Sequence, residues 1–215
     1  MIIKPDAQLL FGPESIVYSA RNCAYEILKR KHRSIYVYHD LQHTTGVLSS
    51  AMELAADHSL SLITQENIAI AALFHDVGYF DQIEGHENIG AQYAQSFLSS
   101  FDLAMNRINL ITELILATNI HSEPHNLEAQ ILRDADLNYL GSDDYFRIAS
   151  NLREEWAITR DKHYSDEEWT EQNIRFLNQH RYFTEAARKR YLHAKENNIK
   201  LLEKRLDSTD PASND

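Results

Sequence analysis

Ala69-Ile70-Ala71-Ala72-Leu73-Phe74-His75-Asp76-Val77-Gly78 is apolar throughout except where a histidine and an aspartate stand side by side. Read as a helix, the stretch puts His75 on the face of Ile68, Ala71 and Ala72 and lays Asp76 over Ala72. Both side chains then point into an apolar interior. A carboxylate buried there without a partner is costly, so it must meet a cation or hydrogen-bond donors. The helix is expected to begin near Thr64, where Thr64-Gln65-Glu66-Asn67 resembles a capping box, and to end around Gly78.

Helical periodicity extends outward from this stretch in both directions. A first helix follows Pro13 and carries Ile16, Val17, Ala20, Cys23, Ala24, Ile27 and Leu28 on one stripe. A second runs from Asp40, a candidate N-cap, to about Asp57. Past a loop from Asp81 to Gly85, a fourth helix uses Ile89, Tyr93, Ala94, Phe97, Leu98 and Phe101, and a fifth covers about Asn106 to Thr118. The sixth carries Ala129, Leu132, Ala135 and Asp136. Three more are expected over Ser142–Thr159, Asp166–Asn178 and Thr184–Leu206. Strand alternation, internal repeats and a Pro/Gly/Ser-rich linker are all missing from the sequence. The pattern therefore predicts one all-α domain over residues 1–206 and a disordered tail over 207–215.

The 215 residues include 43% hydrophobic ones, enough for a sizeable core, and the formal net charge is −11. Such an acidic balance argues against nucleic acid or an anionic membrane as the main partner. The sequence contains no apolar run long enough to span a bilayer, and Met1-Ile2-Ile3-Lys4-Pro5 does not read as a secretory leader. A cytoplasmic location is expected. The single Cys23 reads as a small core residue, and homo-oligomerisation is left open.

Eleven histidines are the compositional oddity. His43 lies thirty-two residues before His75, and the run Asp134-Ala135-Asp136 ends sixty residues after Asp76. His43, His75, Asp76 and Asp136 supply four imidazole and carboxylate ligands from three helices, the way helical bundles build metal sites in their cores. Such donors suit Fe, Mn, Zn, Ni, Co or Mg, and the lack of thiolates excludes a structural cysteine-type zinc site. An ion held there polarises a phosphoryl oxygen and acidifies water.

The order His, His-Asp, Asp in an all-helical chain resembles the HD-domain metal-dependent phosphohydrolases. Three further runs resemble a subgroup of predicted HD-superfamily phosphohydrolases: Tyr38-His39-Asp40-Leu41-Gln42-His43, the stretch from Ile131 through Arg133-Asp134-Ala135-Asp136 to Gly141, and the tail around Phe176-Leu177-Asn178 and Ala186-Ala187-Arg188. The resemblance covers roughly Ser34 to Leu206 and implies an HD helical bundle with additional C-terminal helices. It makes Asp136 the ligand. Asp134 lies about 200° away around a helix, which leaves it as a surface acid or a support to the ligands.

Binuclear members of that family add two histidines between the doublet and the last aspartate. His86 and His121 occupy those places here, so one or two divalent ions are open readings. His39, one turn before His43, resembles the proton-donating histidine of the cyclic-nucleotide phosphodiesterase branch, and a supporting or capping role is the alternative. Asp81 and Glu87 are candidates for orienting water or a ligand imidazole, and helix capping explains them as well. Some family members carry a lysine soon after the doublet; this chain does not, leaving Arg133, Arg147 and Arg153 as candidate phosphate cations or surface salt-bridge partners.

The function implied by the resemblance is hydrolysis of a small phosphate ester, a nucleotide or related metabolite, by metal-activated water. The alternatives are an HD-fold di-iron oxygenase and a nucleotide-sensing module without turnover, because a fold does not set a reaction.

Overall fold

The computed structural model describes residues 11–31 and 33–209. His32, the N-terminal Met1-Ile2-Ile3-Lys4-Pro5 and the end of the expected tail, 210–215, lie outside the described residues. The described chain is all helix and turn, without a strand, and it forms two compact units. None of its helices is long and apolar enough to cross a membrane.

The first unit comprises His39–Asp136 with the segment up to Arg33. It holds α1 (Ile16–Lys31), α2 (Leu41–Asp57), α3 (Leu62–Phe74), α4 (His86–Leu98), α5 (Met105–Leu116) and α6 (Leu127–Asp136). Helix α3 is its centre: every residue from Asn67 to Phe74 is buried, and α1, α2, α4, α5 and α6 all pack on it. A helix apolar on all sides can be stable only in such a position. Its start is fixed by Ser61, whose side chain accepts the Thr64 N–H at 3.2 Å, rather than by a capping box at Thr64.

The end of α3 differs from expectation. The helix closes at Phe74, and His75 is its C-cap, still in right-handed helical geometry at φ −56° and ψ −42°. Successive turns follow, with the N–H groups of Val77, Tyr79 and Asp81 donating to the carbonyls of Phe74, Asp76 and Gly78. The His-Asp doublet therefore stands on the turn that leaves the core helix. Helix α4 closes over this turn because Gly78 and Gly90 are bare. A Cβ on Gly78 would collide with the His86 carbonyl, and one on Gly90 would stand 2.5 Å from the Phe74 carbonyl oxygen.

The second unit comprises Ser34–Tyr38 and the chain from Leu137 onward. A 3₁₀ turn (Asn138–Gly141) leads into α7 (Tyr145–Thr159), α8 (Asp166–Gln179) and α9 (Glu185–Thr209). Helix α9 thus continues through Asp207 to Thr209, beyond its expected end at Leu206. Tyr38, Tyr139, Leu140, Tyr145, Leu177 and Leu202 form the core of this unit. Ser165 and Glu168 make a reciprocal capping box on α8, and buried Lys195 donates to the carbonyls of Leu177 and His180 at its other end. Some of the orphan groups at each end of α8 are thereby satisfied.

Candidate metal centre

Each of the four core site residues is set by local chain chemistry. Asp40 caps α2 by accepting the His43 N–H at 2.8 Å, which fixes the first turn from which His43 projects. His75 and Asp76 leave the end of α3, and Asp136 is the last residue of α6. One ligand atom from each of His43, His75, Asp76 and Asp136 lies within 4.8 Å of all the others.

Tautomers are decided by the backbone. His75 Nδ1–H donates to the Ala72 carbonyl at 2.8 Å, leaving Nε2 with a lone pair directed into the cluster. That nitrogen lies 3.3 Å from His43 Nε2 and 3.0 Å from Asp76 Oδ2. His43 Nε2 in turn stands 3.2 Å from Asp76 Oδ2 and 3.2 Å from Asp136 Oδ1. Two imidazole nitrogens facing each other across two carboxylates form a donor set for a divalent cation, with the His75 ring oriented from its far side. The cluster can hold one such ion.

Without the ion, protons play the part of the positive charge. Burial disfavours the charged imidazole of His43, but hydrogen bonds with Asp136 and Asp76 outweigh it and push the pKa up to about 9. His75 is raised well above its ordinary value against the same burial, chiefly by the charge of Asp76. Burial likewise opposes ionisation of Asp76 and Asp136, yet the histidines hold both carboxyls well below the usual range.

Of the further residues expected at the site, His86 is brought in. It opens α4, donates Nδ1–H to the Ile83 carbonyl at 2.9 Å, and places Nε2 3.1 Å from Asp76 Oδ1. Burial works against its charge, but Asp76 pushes its pKa up to about 9. Glu87 follows it into a buried position. One carboxylate oxygen accepts the Asn119 side-chain amide at 3.1 Å, and the other has no hydrogen-bond partner. His39 lies over Tyr79, their rings 3.6 Å apart and within 15° of parallel, with the His43 ring 6.1 Å away.

Two expected residues are not brought in. His121 is exposed on the turn after α5, where its backbone N–H donates to Asn119 Oδ1. Asp81 is held by Lys31 of α1 and by the Tyr93 hydroxyl, so it ties α1 and α4 to the loop after the doublet. Asp134, expected as a surface acid or a support, is fully buried.

Arg133 is also buried, and its guanidinium donates to the carbonyls of Ala117, Asn119 and Ser122. It is therefore a clamp on the turn carrying His121, not a surface cation. Its position four residues after Ala129, on the inward stripe of α6, is the sequence signal for that burial. Arg147 and Arg153 form the alternative salt bridges, to Asp144 and Asp166. Tyr79 and Asn119 were not singled out in the sequence, where an aromatic and an amide in turns carry no distinguishing pattern.

A helical unit in which His, His-Asp and Asp converge from three segments is the arrangement of an HD domain. The HD domain model matches residues 40–137, a segment that contains all four cluster residues. Its fold is similar to the crystal structure of a predicted HD superfamily hydrolase from an uncultured Thermotogales bacterium. The two share 22% identity over 89% of this chain and 91% of that one, with a TM-score of 0.59. A search of curated proteins returned no match.

Proposed function

We propose that this protein is a metal-dependent phosphohydrolase acting on a small phosphate ester, a nucleotide or related metabolite. The supporting observation is the convergence of His43, His75, Asp76 and Asp136 ligand atoms within 4.8 Å inside an HD domain. The similar Thermotogales protein is called a hydrolase, which agrees with this reading.

A divalent cation at the cluster supplies the charge that polarises a phosphoryl oxygen and acidifies water. The chain's own groups move the protons. Glu87, with one oxygen free of hydrogen bonds, takes the proton of the attacking water as the new P–O bond forms. His39 gives a proton to the leaving alkoxide as the old P–O bond breaks, acting as a general acid.

The test is metal analysis of protein purified without chelators, followed by phosphomonoester and phosphodiester screens with and without chelator. Chelator-sensitive release of phosphate or alcohol is expected. Metal-loaded protein that binds nucleotides without turning them over would instead make it a sensing module. Iron content with substrate-dependent oxygen consumption would make it an oxygenase.

His86 supports a second reading of the metal content. Asp76 turns Oδ2 to His43 and His75 and Oδ1 to His86. With the cluster holding one cation, His86 and Asp76 Oδ1 would hold a second beside it.

A further inference from the structure

The proton donor proposed above stands where no helix holds it. His39 precedes the α2 N-cap, Asp40, on a bent segment outside the helical hydrogen-bond ladder. Its imidazole is nonetheless laid flat against Tyr79 at 3.6 Å and 15°. The Tyr79 ring is also 5.2 Å from the His86 ring, so the stack borders the metal cluster on two sides, through His43 and through His86.

Tyr79 is firmly placed by its surroundings. It is 1% exposed, its N–H closes a turn on the Asp76 carbonyl at 3.0 Å, and the neighbouring Gly78 is pressed against the backbone of His86. A face-to-face contact fixes the plane of the imidazole over that floor and keeps its edge nitrogens free of the tyrosine face.

We infer that Tyr79 is a positioning residue for His39, setting the imidazole plane from which a proton reaches the leaving oxygen. The inference rests on the phosphohydrolase reading and on His39 as its acid. A misplaced group loses its effect steeply with distance, by about 10²-fold for an ångström. Removing the floor should therefore cost the chemistry that needs the proton and spare the chemistry that does not.

The experiment compares His39→Ala, Tyr79→Leu and Tyr79→Phe on an alkyl phosphate and on an activated aryl phosphate, with metal content and circular dichroism measured for each. Tyr79→Leu should keep its metal and lose ~10–100-fold in kcat on the alkyl ester. Its loss on the aryl ester should be much smaller. Tyr79→Phe, which retains the stacking face, should restore the alkyl-ester rate. Equal losses on both esters in folded, metal-loaded Tyr79→Leu would overturn the inference, as would a Tyr79→Phe variant no better than the leucine. If His39→Ala loses the alkyl ester selectively and Tyr79→Leu loses nothing, the positioning role alone falls. If His39→Ala shows no selectivity between the esters, the acid role falls and takes the positioning role with it.

Discussion

Asp76 Oδ1 stands 3.1 Å from His86 Nε2, on the opposite edge of the carboxylate from the oxygen that His75 meets at 3.0 Å. The same side chain thus joins the end of α3 to the start of α4 and closes the four-residue cluster. Because both imidazoles donate Nδ1–H to backbone carbonyls, their Nε2 atoms are directed to Asp76 by the chain itself.

Asp76→Ala should consequently abolish metal retention and activity together, since it removes the anion shared by three histidines. Metal content after gel filtration is the measurement. Full occupancy in this variant would falsify the assignment.

His86→Ala separates one ion from two. With a second cation on Asp76 Oδ1, the wild type should carry two metals and the variant one. His121→Ala should leave the count unchanged, because its side chain is exposed. A wild type that saturates at one metal would remove the second position.

The cluster also sets a pH dependence. His43 and His86 rise to about 9 in the folded, metal-free protein, from an ordinary value of about 6.5. A raised histidine contributes stability that is complete below the unfolded pKa and is lost as pH climbs through the folded one. The lowered Asp76 and Asp136 contribute above the ordinary carboxyl range and lose that contribution only in strong acid. Chelator-treated protein should therefore lose thermal stability between about pH 6.5 and 9. Metal binding should release protons over the same interval, which titration calorimetry in buffers of different ionisation enthalpy will detect. Uptake without proton release would mean the histidines are neutral before the metal arrives.

How far the site was legible follows from where its signals reside. Helix α3 and the inward doublet were readable because burial on every side leaves an unbroken apolar run. The doublet's actual place, on the turn after Phe74, was not. His75 keeps helical dihedrals after the helix has ended, so side-chain periodicity continues past the change. The histidine order suggested His121, but sequence order carries no information about where a side chain points from a turn. Asp81 found Lys31, fifty residues away, a pairing that no local spacing encodes. The charge of Arg133 suggests a phosphate-binding cation, a surface residue or a salt-bridge partner, although its helical stripe faces inward.

Arg133→Met tests the clamp. It would remove the guanidinium bonds to the carbonyls of Ala117, Asn119 and Ser122, the first two of which still accept from Ser122, at a cost of ~1–3 kcal/mol. Arg133→Lys should recover little, because an ammonium cannot span three acceptors as the planar guanidinium does. Urea denaturation reports both. A lysine variant as stable as wild type would show that charge, not the guanidinium fork, holds the turn.

The same glycine-to-alanine change should act in opposite directions on α2 and α4. Gly46 sits within α2, and a Cβ there meets nothing within 4 Å. Gly46→Ala should therefore stabilise the protein by ~0.5–1 kcal/mol through helix propensity and reduced freedom of the unfolded chain. Gly90 lies where α4 crosses the end of α3, and its Cβ would stand 2.5 Å from the Phe74 carbonyl oxygen and 3.0 Å from that of His75. Both obstacles are backbone, so α4 itself must move, against a gain of no more than the Gly46 value. Gly90→Ala should destabilise by ~1–3 kcal/mol, the usual penalty for overpacking. Displacing α4 should also draw His86 away from Asp76, so weaker metal binding is expected alongside the lower melting temperature. Thermal melts of the two variants with and without metal decide the matter. A Gly90→Ala protein as stable and as well loaded as Gly46→Ala would mean that α4 does not need its close approach to hold His86.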